Sequence, residues 1–432
     1  MDIQRSVRYA LSLALTAMFL LHVGGILPIP FLDTLENLAY DARLKLMLRD
    51  SADKQVVIID IDERSLAEIG RWPWNRDILA HINHNLFDHY QIKTIGFDTV
   101  FAEADEDEGA KLLQRMADGP LKHDAAFQQE YSKALNALQR DTIFAKSLKN
   151  RKTILGFVMD TNTHKGVLPA PAAILDRSLN ERIPFIKAEG YTANLDILQT
   201  NAFSGGFFDN PLIDDDGVYR RMPLLQEYGG MLHESLALAL TRTALGSPGL
   251  ELIVKSSHEN ELLLEWVEIG DVVIPVDERA AILIPYLGPQ KSFSYISAID
   301  VLNKSTPIED LNGKIALLGA SAPGLLDLRT TPLESAFPGV EIHANIIQGI
   351  IDQAVMHQPA YTTGFEFLLL LILGLMLIFL LPTLSPLLGS MTTAAMLLLL
   401  IGGNLSIWST YQLVLPIASL ALLVITLFIL HM

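Results

Sequence analysis

Two tryptophans and two arginines fall within one short stretch, Gly70-Arg71-Trp72-Pro73-Trp74-Asn75-Arg76. Arginine beside tryptophan binds anions or stacks on planar ligands. The competing and favoured reading is a structural corner, in which the proline sets the turn and both indoles pack. Asp60, Asp62 and Glu63 close one apolar run, and Asp98 falls inside another. A carboxylate among buried side chains needs a cation, which Arg71 or Arg76 would supply. Gly319-Ala320-Ser321-Ala322-Pro323-Gly324 follows a third apolar run, as a nucleophile elbow would, but Pro323 stands where G-x-S-x-G requires its second glycine. Asp327 and His343 downstream complete only the residue types of a hydrolase. Backbone N–H groups in a loop of such small residues suit an anion better. By chemistry and by position at strand ends, the ligand-binding candidates are Asp60, Asp62, Arg71, Trp74, Arg76, Asp98, Ser321 and Gly324.

Two acidic runs, 103–108 and Asp214-Asp215-Asp216-Gly217, gather carboxylates without the D-x-[DN]-x-[DN]-G spacing of a calcium loop. Asp-Asp-Gly before a strand is an ordinary turn, and Arg220-Arg221 after it suits a salt-bridged hairpin. The sequence holds no G-x-x-x-x-G-K-[ST], H-E-x-x-H, C-x-x-C or G-x-G-x-x-G. No metal site, cofactor or catalytic residue is therefore assigned.

Buried strands must carry these side chains. Gln55–Asp62 is a continuous apolar run ending in acids, the pattern of a buried parallel strand. Arg64–Ile69 reads as a short helix, and Asn75 or Asp77 would cap another running to about Tyr90. Thr94–Phe101 and Thr153–Met159 are further strands, separated by a long helical stretch, 105–148. This βαβαβ order predicts an α/β domain with a mixed, largely parallel sheet. Phe203–Phe208, Tyr219–Glu227, Glu261–Glu268 and Ala281–Tyr286 are expected as an antiparallel extension around a helix at Leu232–Leu245. Lys314–Leu318 adds another buried strand. A last helix, 338–356, carries an apolar stripe of Val340, Ala344, Ile347 and Ile351, with Pro338 at its first turn. It ends just before the next apolar run, so Pro338, Gly339, Glu341 and His343 are the candidate signal-relay residues.

The chain has 432 residues, 50% of them hydrophobic, yet a net charge of −17. It is too long and apolar to be disordered, and too acidic to bind nucleic acid by bulk charge. Mean hydropathy is +0.31, which averages a polar middle with nearly chargeless ends. Residues 7–27, 364–381, 387–405 and 413–430 read as four α-helical transmembrane spans. Pro382 and Pro386 bracket one turn, Trp408 and Gln412 mark the next, and Pro416 kinks or starts the last helix. Arg5 and Arg8 hold residues 1–6 in the cytoplasm, so residues 28–360 are exported and the fourth span returns the chain inside. A cleaved signal peptide is the alternative, disfavoured by the long apolar run and the poor cleavage site at Val23-Gly24-Gly25. The absence of cysteine fits an exported domain without disulfides. No Lys or Arg follows Arg329; the expectation is a cytoplasmic continuation that this sequence lacks.

Asp62-Glu63-Arg64-Ser65-Leu66, followed by the Gly70–Arg76 cluster, resembles the start of the type-two CHASE domain. Gly96-Phe97-Asp98-Thr99-Val100-Phe101, the 214–221 run with Pro223-Leu224, residues 314–327, and Thr331-Pro332 with 338–345 keep that family's order over about 30–358. The resemblance implies an extracytoplasmic sensor of a bacterial inner-membrane protein, with both termini cytoplasmic. Its three following spans would feed a class III nucleotide cyclase, a histidine kinase or a serine/threonine kinase. An adenylate cyclase is favoured by the insertion at 105–150. No output domain is present in the sequence. A homodimer is implied, because such cyclases and kinases act as dimers. The implied partners are the lipid bilayer and an unidentified extracytoplasmic ligand or protein, without nucleic acid. A membrane-anchored periplasmic binding protein with no output is the second reading, and a hydrolase using Ser321 the third.

Overall fold

The computed structural model describes residues 3–48, 51, 53–105, 108–160, 162–175, 181–256, 262–322, 325 and 327–432. Its centre is a sheet built from β1 (Val56–Asp60), β2 (Thr94–Phe97), β3 (Thr153–Asp160), β4 (Ser204–Phe207), β5 (Ser294–Ser297) and β6 (Ile315–Gly319). These strands run parallel in the order β5-β1-β6-β2-β3-β4. The last of them in sequence, β6, inserts between β1 and β2, a placement that local pattern cannot give. Side chains alternate between the two faces. Val56, Ile58, Ile315 and Leu317 join one core, and Val57, Ile59, Ala316 and Leu318 the other. Both faces are covered, so the strands read as unbroken apolar runs.

The antiparallel extension expected around 203–208 is corrected. β4 pairs parallel with β3 inside the main sheet. Its glycines explain why: a Cβ on Gly206 would lie 2.5 Å from the Leu236 Cα, so the strand must pass directly beneath a helix. The strand added antiparallel to β3 is Gly190–Thr192. Other antiparallel strands form separate small sheets, Arg221–Pro223 with Ala281–Leu283 and Leu250–Ser256 with Leu262–Ile269 and Val272–Pro275. The helix expected from Leu232 starts later, because Met231–Glu234 is a strand and Ser235 caps Leu236–Ala244 by accepting from the Leu238 N–H. Asp98 follows β2 rather than lying within it.

Helices α1 (Ile3–Val23) and α2 (Pro30–Leu46) precede the sheet, and α3 (Glu63–Ile69) and α4 (Arg76–His84) follow β1. Asn75 occupies the cap position of α4 without a capping side-chain bond; the Asp105 carboxylate accepts from the Arg76 N–H instead, at 2.7 Å. After β6 come α5 (Gly339–Ile351), α6 (Thr362–Leu380), α7 (Pro386–Tyr411) and α8 (Ala418–His431). Helix α5 is shorter than the expected 338–356. It is buried on every side rather than along one stripe, because it lies between the sheet and the helix Leu236–Ala244. Its polar residues Glu341, Asn345 and Gln348 have hydrogen-bond partners inside the fold.

Among the described residues, three helices, α1, α6 and α7, are long and apolar enough to cross a membrane. Of the four runs read as spans, the last differs. Helix α8 has 14 residues and starts at Ala418, not 413. That is about 21 Å of helix against a hydrocarbon core of roughly 30 Å. Pro416 forces the preceding residues out of helix. Helix α8 packs against α1, α6 and α7, and its last residue meets the first half of α1, where His431 Nε2 lies 2.9 Å from Ser12 Oγ. Sequence patterning did not anticipate α2, which braces this bundle. Glu36 accepts from the Ile417 and Ala418 N–H groups at 2.8 Å each, capping α8. Arg43 donates to Asn404 Oδ1 and the Leu415 carbonyl, at 2.7 Å each.

Candidate functional site

The carboxyl ends of parallel strands are where α/β sheets bind ligands. Here the ends of β1, β2, β4 and β6 contribute Ile61, Asp98, Phe208 and Ala320 to one pocket of about 200 Å³. The start of α5 supplies its far wall through Gly339, Ile342 and His343. Trp72 reaches it from the tryptophan-rich corner, and Asp327 and Arg329 from the segment after β6. Asp327 and Arg329 form an ion pair at 2.8 Å, and Arg329 also lies over the Tyr219 ring. A Cβ on Gly339 would lie 2.3 Å from Asp327 Oδ2, so the carboxylate lies directly against the first turn of α5. A negative group there complements the helix dipole.

Two carboxylates thus share a low-dielectric site. Burial, then the neighbouring Asp327, push the Asp98 carboxyl well above the usual range, against the pull of Arg329. Burial raises Asp327 as well. His343 is 4% exposed, and burial holds its imidazole at about 4, so it is uncharged near neutrality. Its Nδ1 has no hydrogen-bond partner among the described residues. An acid whose folded pKa is raised holds its proton more tightly folded than unfolded, so stability falls as pH rises from ~4 through the raised value. Asp98→Asn removes that penalty. We expect the variant to melt higher than the parent at pH ~8, and the difference to vanish near pH ~4. Thermal melts across that range check it.

The remaining candidates fall elsewhere. Asp60 accepts from the Ser321 N–H at 3.0 Å and the Ser321 hydroxyl at 2.6 Å. Asp62 caps α3 through the Ser65 N–H and also accepts from the Ser297 hydroxyl. Burial pushes the Asp62 carboxyl up, but these bonds outweigh it and hold it below its ordinary value. Asp60, Asp62, Ser297 and Ser321 line, with Pro338, Lys291 and Tyr295, a separate open groove of about 880 Å³. Gly324 lies outside the described residues. Trp74 is buried, donates to the Gly70 carbonyl at 2.9 Å and meets Trp72 edge-on.

The expected pairing of Asp98 with Arg71 or Arg76 is corrected. Arg71 is exposed, and Arg76 is held over the Phe101 ring and beside Asp141. The cation acting on Asp98 is Arg329, more than two hundred residues away in sequence. Asp327 and Arg329, closing an otherwise small and apolar stretch, 315–329, were the available signal. Of the relay candidates, Gly339 and His343 line the pocket. Glu341 anchors α5 by accepting from the Lys291 and Ser292 N–H groups and the Tyr295 hydroxyl.

Arg220 and Arg221 do not form a simple hairpin bridge. Arg220 binds Asp214 and Asp216 of the acidic turn and also Asp41 of α2. Arg221 donates to Gln358. Among the described residues, no group of three or more His, Asp or Glu is placed to hold a metal ion.

No curated protein and no solved structure matches the chain. A family model described as the CHASE2 domain matches residues 12–381, from within α1 through the end of α6. That span takes in the whole sheet, the pocket at its carboxyl edge and the helix leading back to the apolar bundle. The chain is a membrane protein that belongs to the CHASE2 family, the extracellular sensory domain of signalling proteins.

Proposed function

We propose that residues 28–360 sense a small ligand outside the cytoplasm and pass its occupancy to the membrane helices through α5. The observation that carries this reading is the position of that helix. Its first turn walls the pocket through Gly339 and His343. Its C-terminal end leads within a few residues to His357, whose N–H donates to the Gln412 carbonyl and whose carbonyl accepts from the Val414 N–H, at 2.8 Å each. A ligand that favours one position of α5 therefore bears on the connection between α7 and α8. Such a ligand shifts the equilibrium only by its differential affinity for the two positions. In this reading α1, α6, α7 and α8 all span the bilayer of a bacterial inner membrane, and both termini are cytoplasmic. The output is a class III adenylate cyclase working as a homodimer. A histidine or serine/threonine kinase is the alternative output, and a binding protein without output the other reading.

The lack of cysteine makes the topology directly testable. Thr200 is exposed on the globular domain, and Thr383 is exposed in the turn between α6 and α7. In intact spheroplasts, a membrane-impermeant maleimide should label Thr200→Cys and leave Thr383→Cys unlabelled until the membrane is opened. Labelling of Thr383→Cys but not Thr200→Cys from outside overturns the sensor reading.

A further inference from the structure

We propose that the pocket at the start of α5 takes a small organic ammonium compound, its cationic nitrogen on the Asp98 carboxylate and its apolar body against Trp72, Phe208 and Leu325. The proposal rests on the sensor reading above and names the ligand class for that site. Three observations carry it. The first is an acid left without a cation. The titratable groups facing the pocket are Asp98, Asp327, Arg329, His343 and Tyr219. Arg329 is committed to Asp327 at 2.8 Å and to the Tyr219 ring. His343 is neutral, so no free cation of the pocket faces Asp98; its buried carboxyl holds its proton near neutrality and gives it up when a cation arrives to pair with it. Its side chain has no hydrogen-bond partner among the described residues.

The second is the orphaned imidazole. A buried polar atom without a partner is uncommon and points to a missing one. The unpartnered Nδ1 of His343 suits a second N–H of the ammonium or a hydroxyl on the ligand. The third is size and lining. About 200 Å³ bounded by Trp72, Phe208, Leu325, Ile342 and Met222 holds a compact apolar body rather than a sugar chain or a peptide. A carboxylate ligand would meet two acids. A neutral ligand would leave Asp98 protonated and gain no ion pair from it.

Titration calorimetry on the full chain in nanodiscs tests this with phenethylamine and butylamine as probes. Phenethyl alcohol and hydrocinnamate serve as the neutral and anionic counterparts. We expect an amine to bind at least about tenfold more tightly than the alcohol or the acid, and Asp98→Asn to weaken amine binding by at least about tenfold. Ala320→Leu, which fills the pocket without changing charge, should also abolish binding, and unchanged melting of that variant shows that it folds. Affinity should fall as pH drops through the Asp98 titration, while the amine itself stays cationic. Equal binding of amine and alcohol, preference for the acid, unchanged affinity in Asp98→Asn, or no binding of either amine would each overturn the ammonium assignment. The maleimide pattern is independent of all four outcomes, so failure of the ligand class and failure of the sensor topology are told apart.

Discussion

Replacing Arg220 with methionine should lower the melting midpoint of the full chain by about 10 °C, which corresponds to the loss of roughly 3–5 kcal/mol. The side chain is 5% exposed and its guanidinium carries five hydrogen bonds to three carboxylates. Methionine fills similar space but leaves those anions facing one another. Asp214 and Asp216 are partly open to water and recover some hydration, whereas Asp41 is more enclosed. Uncompensated Asp41 is therefore the main source of the loss. Arg220→Lys keeps the charge but not the planar fork, and should fall between the two.

The pH dependence of this effect has a defined sign. The bond from Arg220, the largest influence, holds the Asp216 carboxyl below its ordinary value. Its contribution is present above the unfolded pKa of ~3.9 and is lost as pH falls through the lowered value. The gap between parent and Arg220→Met should accordingly narrow below pH ~4. Tryptophan fluorescence melts measure both effects. A midpoint unchanged by Arg220→Met at neutral pH would show that α2 is not tied to the globular domain through this cluster.

Glu341→Ala should be comparably damaging, by about 4 kcal/mol. The side chain is 0% exposed and accepts three bonds, from the Lys291 and Ser292 N–H groups at 2.9 Å and from the Tyr295 hydroxyl at 2.6 Å. Each donor stranded in the interior costs about 1–3 kcal/mol, and the vacated volume adds to that. Glu341→Gln keeps the shape and one good acceptor but turns an NH₂ toward a donor, so it should lose less than alanine. Equilibrium unfolding of the two variants separates packing from hydrogen bonding. Equal loss in both would mean that the negative charge, not the shape, seats α5 on the sheet.

Much of the frame was legible along the chain. Residues 56–60, 94–97, 153–160 and 315–319 form parallel strands close to where unbroken apolar runs predicted them, because a strand buried on both faces writes that pattern directly. The tryptophan corner was legible as a turn with packed indoles, yet its two indoles diverge: Trp74 is buried in the core, while Trp72 reaches the pocket. Helix α2 was not legible, since its burial comes from facing α7, α8 and the turn at 214–216 rather than from an apolar stripe of its own.

The amino-acid sequence by itself determined the α/β class, the apolar helices, the missing cysteine and the family. Each of these depends on composition or on short-range period, which every segment carries alone. Only the tertiary structure decided which charges meet. The sheet order places β6 between β1 and β2, so residues just after β6 reach the end of β2, and Asp98 meets Asp327 and Arg329 instead of the arginines a few turns upstream. Electrostatic partners follow distance in space, and the strand order that sets that distance is fixed by long-range packing that no local pattern records.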